Sequence, residues 1–413
     1  MKPIQVGLLG IGTVGGGVFT VLERNQDEIQ RRAGRGIRIN TVADLNVERA
    51  KELVNGRAQV VSDARAVINN PEIDIVVELI GGYGIAKELV LEAIAAGKHV
   101  VTANKALIAV HGNEIFKAAH EKGVMVAFEA AVAGGIPIIK ALREGLTANH
   151  IEWIAGIING TTNFILSEMR DKGLDFATVL KKATIMSAIA FGIPMQFEKA
   201  HVEGITKLDA IDIKYAEQLG YRIKLLGIAK KTTTGVELRV HPTLIPTKRL
   251  IANVEGAMNA VQVFGDAVGT TLYYGKGAGS EPTASAVIAD LVDITRLLGA
   301  SPENRVPYLA FQPDAVRDIA VLPMGEITTS YYLRLRVADQ AGVLADITKI
   351  LAAHGISIDA LLQKEADEGE SQTDLVALTH ETKEKHMLAA IAEIQNLKTV
   401  AGEVVKIRLE NLS

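Results

Sequence analysis

The sequence predicts an α/β chain: a doubly wound parallel sheet, then an α+β unit, then a small ferredoxin-like βαββαβ module. Three observations carry this. Strand-like and helix-like runs alternate over residues 1–135, the rhythm of a parallel sheet with helical crossovers. That rhythm stops near residue 136, where longer strand-like runs take over. A cluster of Pro302, Pro307, Pro313 and Pro323 then reads as a linker before a module that alternates strand, helix, strand, strand, helix, strand. The expected division is 1–135, 136–310, a linker at 311–329, and 330–413.

Composition limits the function classes. The chain has 413 residues, of which 48% are hydrophobic and 22% charged, so real cores are expected. A net charge of −4 gives no basic field for nucleic acid and no polybasic patch for a membrane. No stretch is long and apolar enough to span a bilayer. The N-terminal apolar run reads as a strand, not a signal peptide, so the cytoplasm is the expected location. There are no cysteines, which excludes disulfides, thiolate nucleophiles and cysteine-based zinc sites.

Taken in order, strands are expected at 5–10, 37–43, 59–61, 74–79, 99–102 and 124–128, with helices such as 47–54 and 85–96 between them. The first strand runs into Gly10-Ile-Gly12-Thr13-Val14-Gly15. The glycines permit a tight turn, close approach of a pyrophosphate, and packing of the next helix, whose N-terminal N–H groups face the phosphates. Asp44 follows the second strand, as either a ribose acceptor or a solvated turn residue. Arg49 lies in the following helix, so the choice between NAD and NADP stays open.

Lys105 ends Thr102-Ala-Asn-Lys at the C-terminal edge of a strand, where ligands of open sheets bind. A lysine there can donate a proton to an oxygen that gains charge as hydride arrives. The turn Phe128–Pro137 reads from spacing as a domain crossover, with a carbonyl-lined cation site as the alternative. Beyond it, strands are expected at 152–158, 237–245, 260–265 and 267–274, and helices at 163–170, 175–190 and 283–298. Thr161, Thr162 and Asn163 suit either a helix cap or bonds to a small polar substrate. Tyr274-Gly-Lys-Gly-Ala-Gly279 is a second glycine loop, by itself a connection. His111, His120, His150 and His201 show no metal or triad spacing and read as structural or exposed.

Over essentially its whole length the chain resembles a bacterial homoserine dehydrogenase with a C-terminal ACT-type regulatory domain. The resemblance rests on Gly10–Gly17, Val101-Thr-Ala-Asn-Lys-Ala-Leu-Ile108, Phe128–Pro137, Gly156-Ile-Ile-Asn-Gly-Thr-Thr-Asn-Phe164, Tyr274–Gly279 and the terminal module. It implies NAD(P)H-dependent, reversible reduction of aspartate semialdehyde to homoserine, in the pathway to threonine and methionine. It further implies cofactor contacts at Gly10, Gly12, Thr13, Val14, Gly15, Lys105, Gly277 and Gly279, with Lys105 as active-site lysine. Thr161 would stand near the substrate. A sodium or potassium ion would sit at Glu129, Val132, Gly134 and Ile136, largely on backbone oxygens. The terminal module would bind threonine at a paired interface near Asp339–Val343, and the chain would form a homodimer or homotetramer.

One departure stands out. The family carries a segment with a substrate-binding glutamate, a substrate-binding aspartate and a proton-donating lysine. Here Asp175–Ala183 passes directly to Thr184–Gly192. Lys181 and Lys182 lie just before the junction, outside the family's sequence context, and no role transfers to them. The gap admits a mobile loop left out of the sequence, or a true loss. The second case motivates an alternative: a cofactor-binding, amino-acid-sensing protein with little turnover.

Overall fold

The computed structural model describes residues 2–159, 176–205, 208–301, 304–364 and 370–413. The first unit alternates β1 (Ile4–Leu9), α1 (Thr13–Arg24), α2 (Gln26–Ala33), β2 (Ile37–Ala43), α3 (Val47–Val54), β3 (Gln59–Val61), α4 (Ala64–Ile68), β4 (Ile75–Glu78), α5 (Gly84–Ala95), β5 (His99–Thr102), α6 (Lys105–Lys122) and β6 (Val126–Ala127). All pairings are parallel, in the order β3-β2-β1-β4-β5-β6. Strand order reverses between β1 and β4, which opens a crevice at their C-terminal ends. The strands are buried on both faces: Val6, Leu8, Ile75, Val77 and Val101 enter one apolar core, Leu9, Val76 and Val100 the other. That two-sided burial is why they read as continuous apolar runs.

The rest of the chain builds one eleven-stranded sheet. It begins with β7 (Ile151–Ile157), α7 (Phe176–Phe191), β8 (His201–Val202), α8 (Ala210–Gln218), β9 (Tyr221–Lys231), β10 (Val236–Pro246), β11 (Met258–Gly265), β12 (Gly269–Lys276) and α9 (Ser280–Leu297). It continues with β13 (Thr328–Ala338), α10 (Val343–Ala353), β14 (Ile358–Gln363), β15 (Gln372–Thr379), β16 (Thr382–Lys383), α11 (Glu384–Ile394) and β17 (Val400–Leu409). The main path is β12-β11-β7-β9-β10-β17-β13-β15-β14. The terminal module therefore does not stand apart. Its last strand pairs with β10, Thr243 opposite Arg408 and Leu244 opposite Leu409.

Three features differ from the sequence expectations. The strand β9 and the helix α8 were not foreseen, although β9 is among the best-paired strands, matched residue by residue with β10 from Tyr221 to Lys231. β9 is buried along most of its length, so no clean alternation marks it. The module's sheet is covered on both faces, not one. Tyr331, Leu333, Leu335 and Val337 face α10 and α11, while Tyr332, Val376, Leu378 and Ile407 meet Tyr215 and Ala216 of α8. The proline-rich stretch is also held down. Arg143 donates to the carbonyls of Val306 and Pro307, Tyr308 donates to that of Val124, and the Val236 and Arg317 amides bond Ala320 and Gly192.

Buried ion pairs lock the junction between module and sheet. Arg239 is fully buried and bonds Glu237 at 2.9 Å and Glu410 at 2.7 Å. Arg408, also buried, bonds Glu384 at 2.7 Å and grips both oxygens of Glu203. On the α8 side Arg334 and the Tyr332 hydroxyl both bond Asp212, which is fully buried at the first turn of that helix.

Candidate active site

The site lies at the C-terminal edge of the six-stranded sheet. Gly15 packs so closely on the turn that a Cβ there would run into the Gly10 carbonyl oxygen. This is the tight strand-to-helix approach expected of the third glycine in such a loop. Thr13 is exposed and Val14 half-buried at the start of α1. Gly10 and Gly12 line a cleft of about 410 Å³ with Asp44, Asp63, Arg65, Leu79 and Ile80. Asp44 lies between its two expected roles. One oxygen accepts from the Ile11 amide and the other from the Asn46 amide, both at 2.8 Å, so the carboxylate braces the glycine loop while facing the cleft.

The second glycine loop meets the first. Ser280, which opens α9, donates its hydroxyl to the Thr13 carbonyl at 2.8 Å, and Glu281 pairs with Arg24. The turn after β6 joins them. The Gly135 amide donates to the Lys276 carbonyl, and a Cβ on Gly134 would strike the Gly277 carbonyl oxygen. Gly134 also sits at φ +57°, beside Ala133 at φ +56°. Stretches 267 residues apart in the chain, at Thr13 and Ser280, thus meet, with the Gly134 turn packed beside them on Lys276 and Gly277.

Within that turn the Glu129 carboxylate is committed to protein. It accepts from the Ile139 and Lys140 amides at 2.9 and 2.8 Å, while its own amide donates to Asp290. Burial, then the charge of Asp290, pushes the Glu129 carboxyl upward; burial raises Asp290 as well. The Ile136 carbonyl accepts from Ile138. The carbonyls of Val132 and Gly134, both buried residues, accept no hydrogen bond from the described residues. Two orphaned buried carbonyls in one turn fit a hard monovalent cation held on backbone oxygens.

Lys105 is half-buried at the first position of α6, capped by Asn104, whose side chain accepts from the Leu107 amide at 3.1 Å. It has a counterpart that sequence reasoning left without a role. Helix α7 runs unbroken through the Ala183–Thr184 junction, and Lys182 lies on its buried face. The Lys182 ammonium donates to the Ile158 carbonyl at 2.7 Å, at the end of β7. Burial, then the nearby charge of Lys105, lowers Lys182 to about 8. A signal existed: Lys182 opens an uninterrupted buried run to Phe191, three residues after Val179 and four before Met186. Thr161, Thr162 and Asn163 lie outside the described residues.

A dinucleotide cleft at the edge of a doubly wound sheet, with two lysines brought together beside it, defines a nicotinamide-dependent oxidoreductase. Family models bear this out. "Homoserine dehydrogenase, NAD binding domain" matches residues 10–129, "Homoserine dehydrogenase" matches 137–184 and 179–292, and "ACT domain" matches 331–398. A homoserine dehydrogenase of Pseudomonas aeruginosa is 57% identical over 436 aligned positions, covering all of both chains, and one of Neisseria gonorrhoeae is 56% identical over 435. A homoserine dehydrogenase structure from Thiobacillus denitrificans superposes with a TM-score of 0.94 at 62% identity, covering 100% of this chain and 99% of that one. The chain belongs to the homoserine dehydrogenase family. The two pieces of the catalytic-domain match meet at residues 179–184, and both alignments are longer than the 413 residues of this chain, so relatives carry residues that face gaps. These relatives support the enzyme reading and not that of a sensor without turnover.

Proposed function

We propose that this chain interconverts L-aspartate 4-semialdehyde and L-homoserine with Lys105 and Lys182 as the groups that manage the proton. The observation that supports this most directly is the buried Lys182 held beside Lys105 at the sheet edge. The reduced nicotinamide, when bound, supplies hydride to the aldehyde carbon. The carbonyl π electrons move onto the oxygen, and a protonated lysine gives it a proton. In the reverse direction the neutral lysine takes the hydroxyl proton. Two adjacent ammonium groups favour release of one proton, which suits a group that must work both ways near neutral pH.

Gly10, Gly12, Thr13, Val14, Gly15, Gly277 and Gly279 would bound the cofactor, with the pyrophosphate at the start of α1. The cleft favours NAD(H). Asp44 and Asp63 line it, and its one lining arginine, Arg65, is paired with Glu92 and Glu88. A 2′-phosphate would meet carboxylate where a ribose hydroxyl meets an acceptor. The expected result is a kcat/KM for NADH about tenfold or more above that for NADPH; equal values would reject the assignment. A sodium or potassium ion would sit on Val132 and Gly134, with Glu129 and Ile136 shaping the turn and the Glu129 side chain kept for the protein.

The terminal module would take threonine as its effector, in a homodimer or homotetramer in the cytoplasm. The test of the central claim is homoserine-dependent reduction of NAD⁺ by the purified 413-residue chain, followed at 340 nm. Cofactor binding without turnover would return the chain to the sensor reading.

A further inference from the structure

Glu78 is the last residue of β4, and it is fully buried. One carboxylate oxygen accepts from the Ile80 and Gly81 amides at 2.9 and 3.1 Å, and the other accepts from the Thr102 hydroxyl at 2.7 Å. The Thr102 oxygen in turn accepts from the Asn104 amide at 3.0 Å. Asn104 closes the loop, donating its side-chain amide to the Gly82 carbonyl and capping α6 through the Leu107 amide. Among the described residues no cation pairs with Glu78.

This arrangement is costly for a purely structural brace. A buried carboxylate without a cation pays several kcal/mol of desolvation, which a neutral side chain would avoid. What it holds explains its place. On one side is the segment 79–82, whose Leu79 and Ile80 line the dinucleotide cleft and whose Leu79 carbonyl abuts Gly10. On the other side is the turn that carries Lys105 at the head of α6. The Thr102 hydroxyl joins them, donating to Glu78 and accepting from Asn104, and the Asn104 side chain adds a second link through the Gly82 carbonyl.

We propose that Glu78, acting through Thr102 and Asn104, is the positioning residue that sets Lys105 against the cofactor cleft. It touches neither substrate nor cofactor. It fixes the mutual placement of the cleft floor and the lysine, which a reaction with donor, acceptor and proton source in one geometry requires. The inference rests on the role proposed above for Lys105.

Thr102→Val keeps the shape of the side chain and removes only the relay. Its kcat should fall about 10- to 100-fold, while the dissociation constant for NADH stays within about twofold. Thr102→Ser restores the hydroxyl and should recover most of the rate. A Thr102→Val enzyme with parental kcat would overturn the proposal, as would a rate loss matched by equal losses in NADH affinity and stability. A second readout does not depend on turnover. In reductively ¹³C-methylated protein, the Lys105 signal, assigned with Lys105→Arg, should titrate at a different midpoint in Thr102→Val than in the parent. Identical midpoints refute the positioning role even if the parent itself proves inactive, whereas an inactive parent with shifted midpoints refutes only the activity.

Discussion

Lys182→Met is expected to lower turnover by about 10²–10⁴-fold and yet to leave a protein at least as stable as its parent. Both halves follow from the same burial. The Lys182 ammonium is almost entirely enclosed, bonded to one carbonyl and facing the charge of Lys105, and its value falls from 10.5 to about 8. The folded state thus disfavours the charged form. Below about pH 8 that penalty is fully present, and as pH rises from about 8 toward 10.5 it is relieved, because the unfolded chain then binds the extra proton. Methionine removes the penalty but leaves the Ile158 carbonyl without its donor, which costs about 1–3 kcal/mol. At pH 7 the two nearly offset, with a net gain of about 1 kcal/mol expected for the variant, shrinking to a net loss near pH 10. In the parent, aldehyde reduction should decline through an ionisation near pH 8 and homoserine oxidation should rise through the same one. Turnover in Lys182→Met within tenfold of the parent, or pH profiles flat between 7 and 9, would remove Lys182 from the chemistry.

Arg408→Met should destabilise the whole molecule by about 3–5 kcal/mol, measured by urea unfolding. Arg408 holds two carboxylates at once: Glu384, within the terminal module, and Glu203, beside β8. Burial alone raises both carboxyls. The Arg408 bonds, helped by His201 at Glu203 and by Lys406 at Glu384, override it and hold both below the ordinary range. Groups depressed in this way add stability above the unfolded value near 4.5, and that stability is lost as pH falls through their folded values. Acid unfolding of the parent should therefore steepen below about pH 4.5, and the variant should show a shallower dependence. Arg408→Lys, which keeps charge but not the forked grip, should fall between the two. A loss under about 1 kcal/mol in Arg408→Met would mean that the junction is solvated.

The sequence exposed the parts of this molecule that repeat a local rule. The strand-glycine-helix opening, Lys105 at the end of a strand and the βαββαβ order are all written in residues close together in the chain, and the structure has them at those positions. The parts that depend on distant partners were not legible. Strand β9 is apolar on both faces and carries no alternation. The orphaned carbonyls of Val132 and Gly134 are backbone atoms, to which side-chain spacing is blind. Lys182 stood as one of two lysines before a junction, with no role transferred to it, and only continuity of α7 turns it inward. Asp44 was balanced between two roles because its bond to Ile11 crosses from β2 to β1.

The sheet that runs from β12 to β14 also changes what it means to remove a domain. A cut before residue 330 looks like the excision of a cassette, but it strips β17 from β10, takes Glu410 from Arg239, and leaves Glu203 without Arg408. What remains is an enzyme with an unpaired strand edge at Thr243 and Leu244 and with Arg239 and Glu203 each short of a partner, the kind of surface that recruits other chains. The truncated protein is expected to scatter light and precipitate on expression, not to emerge as a deregulated enzyme.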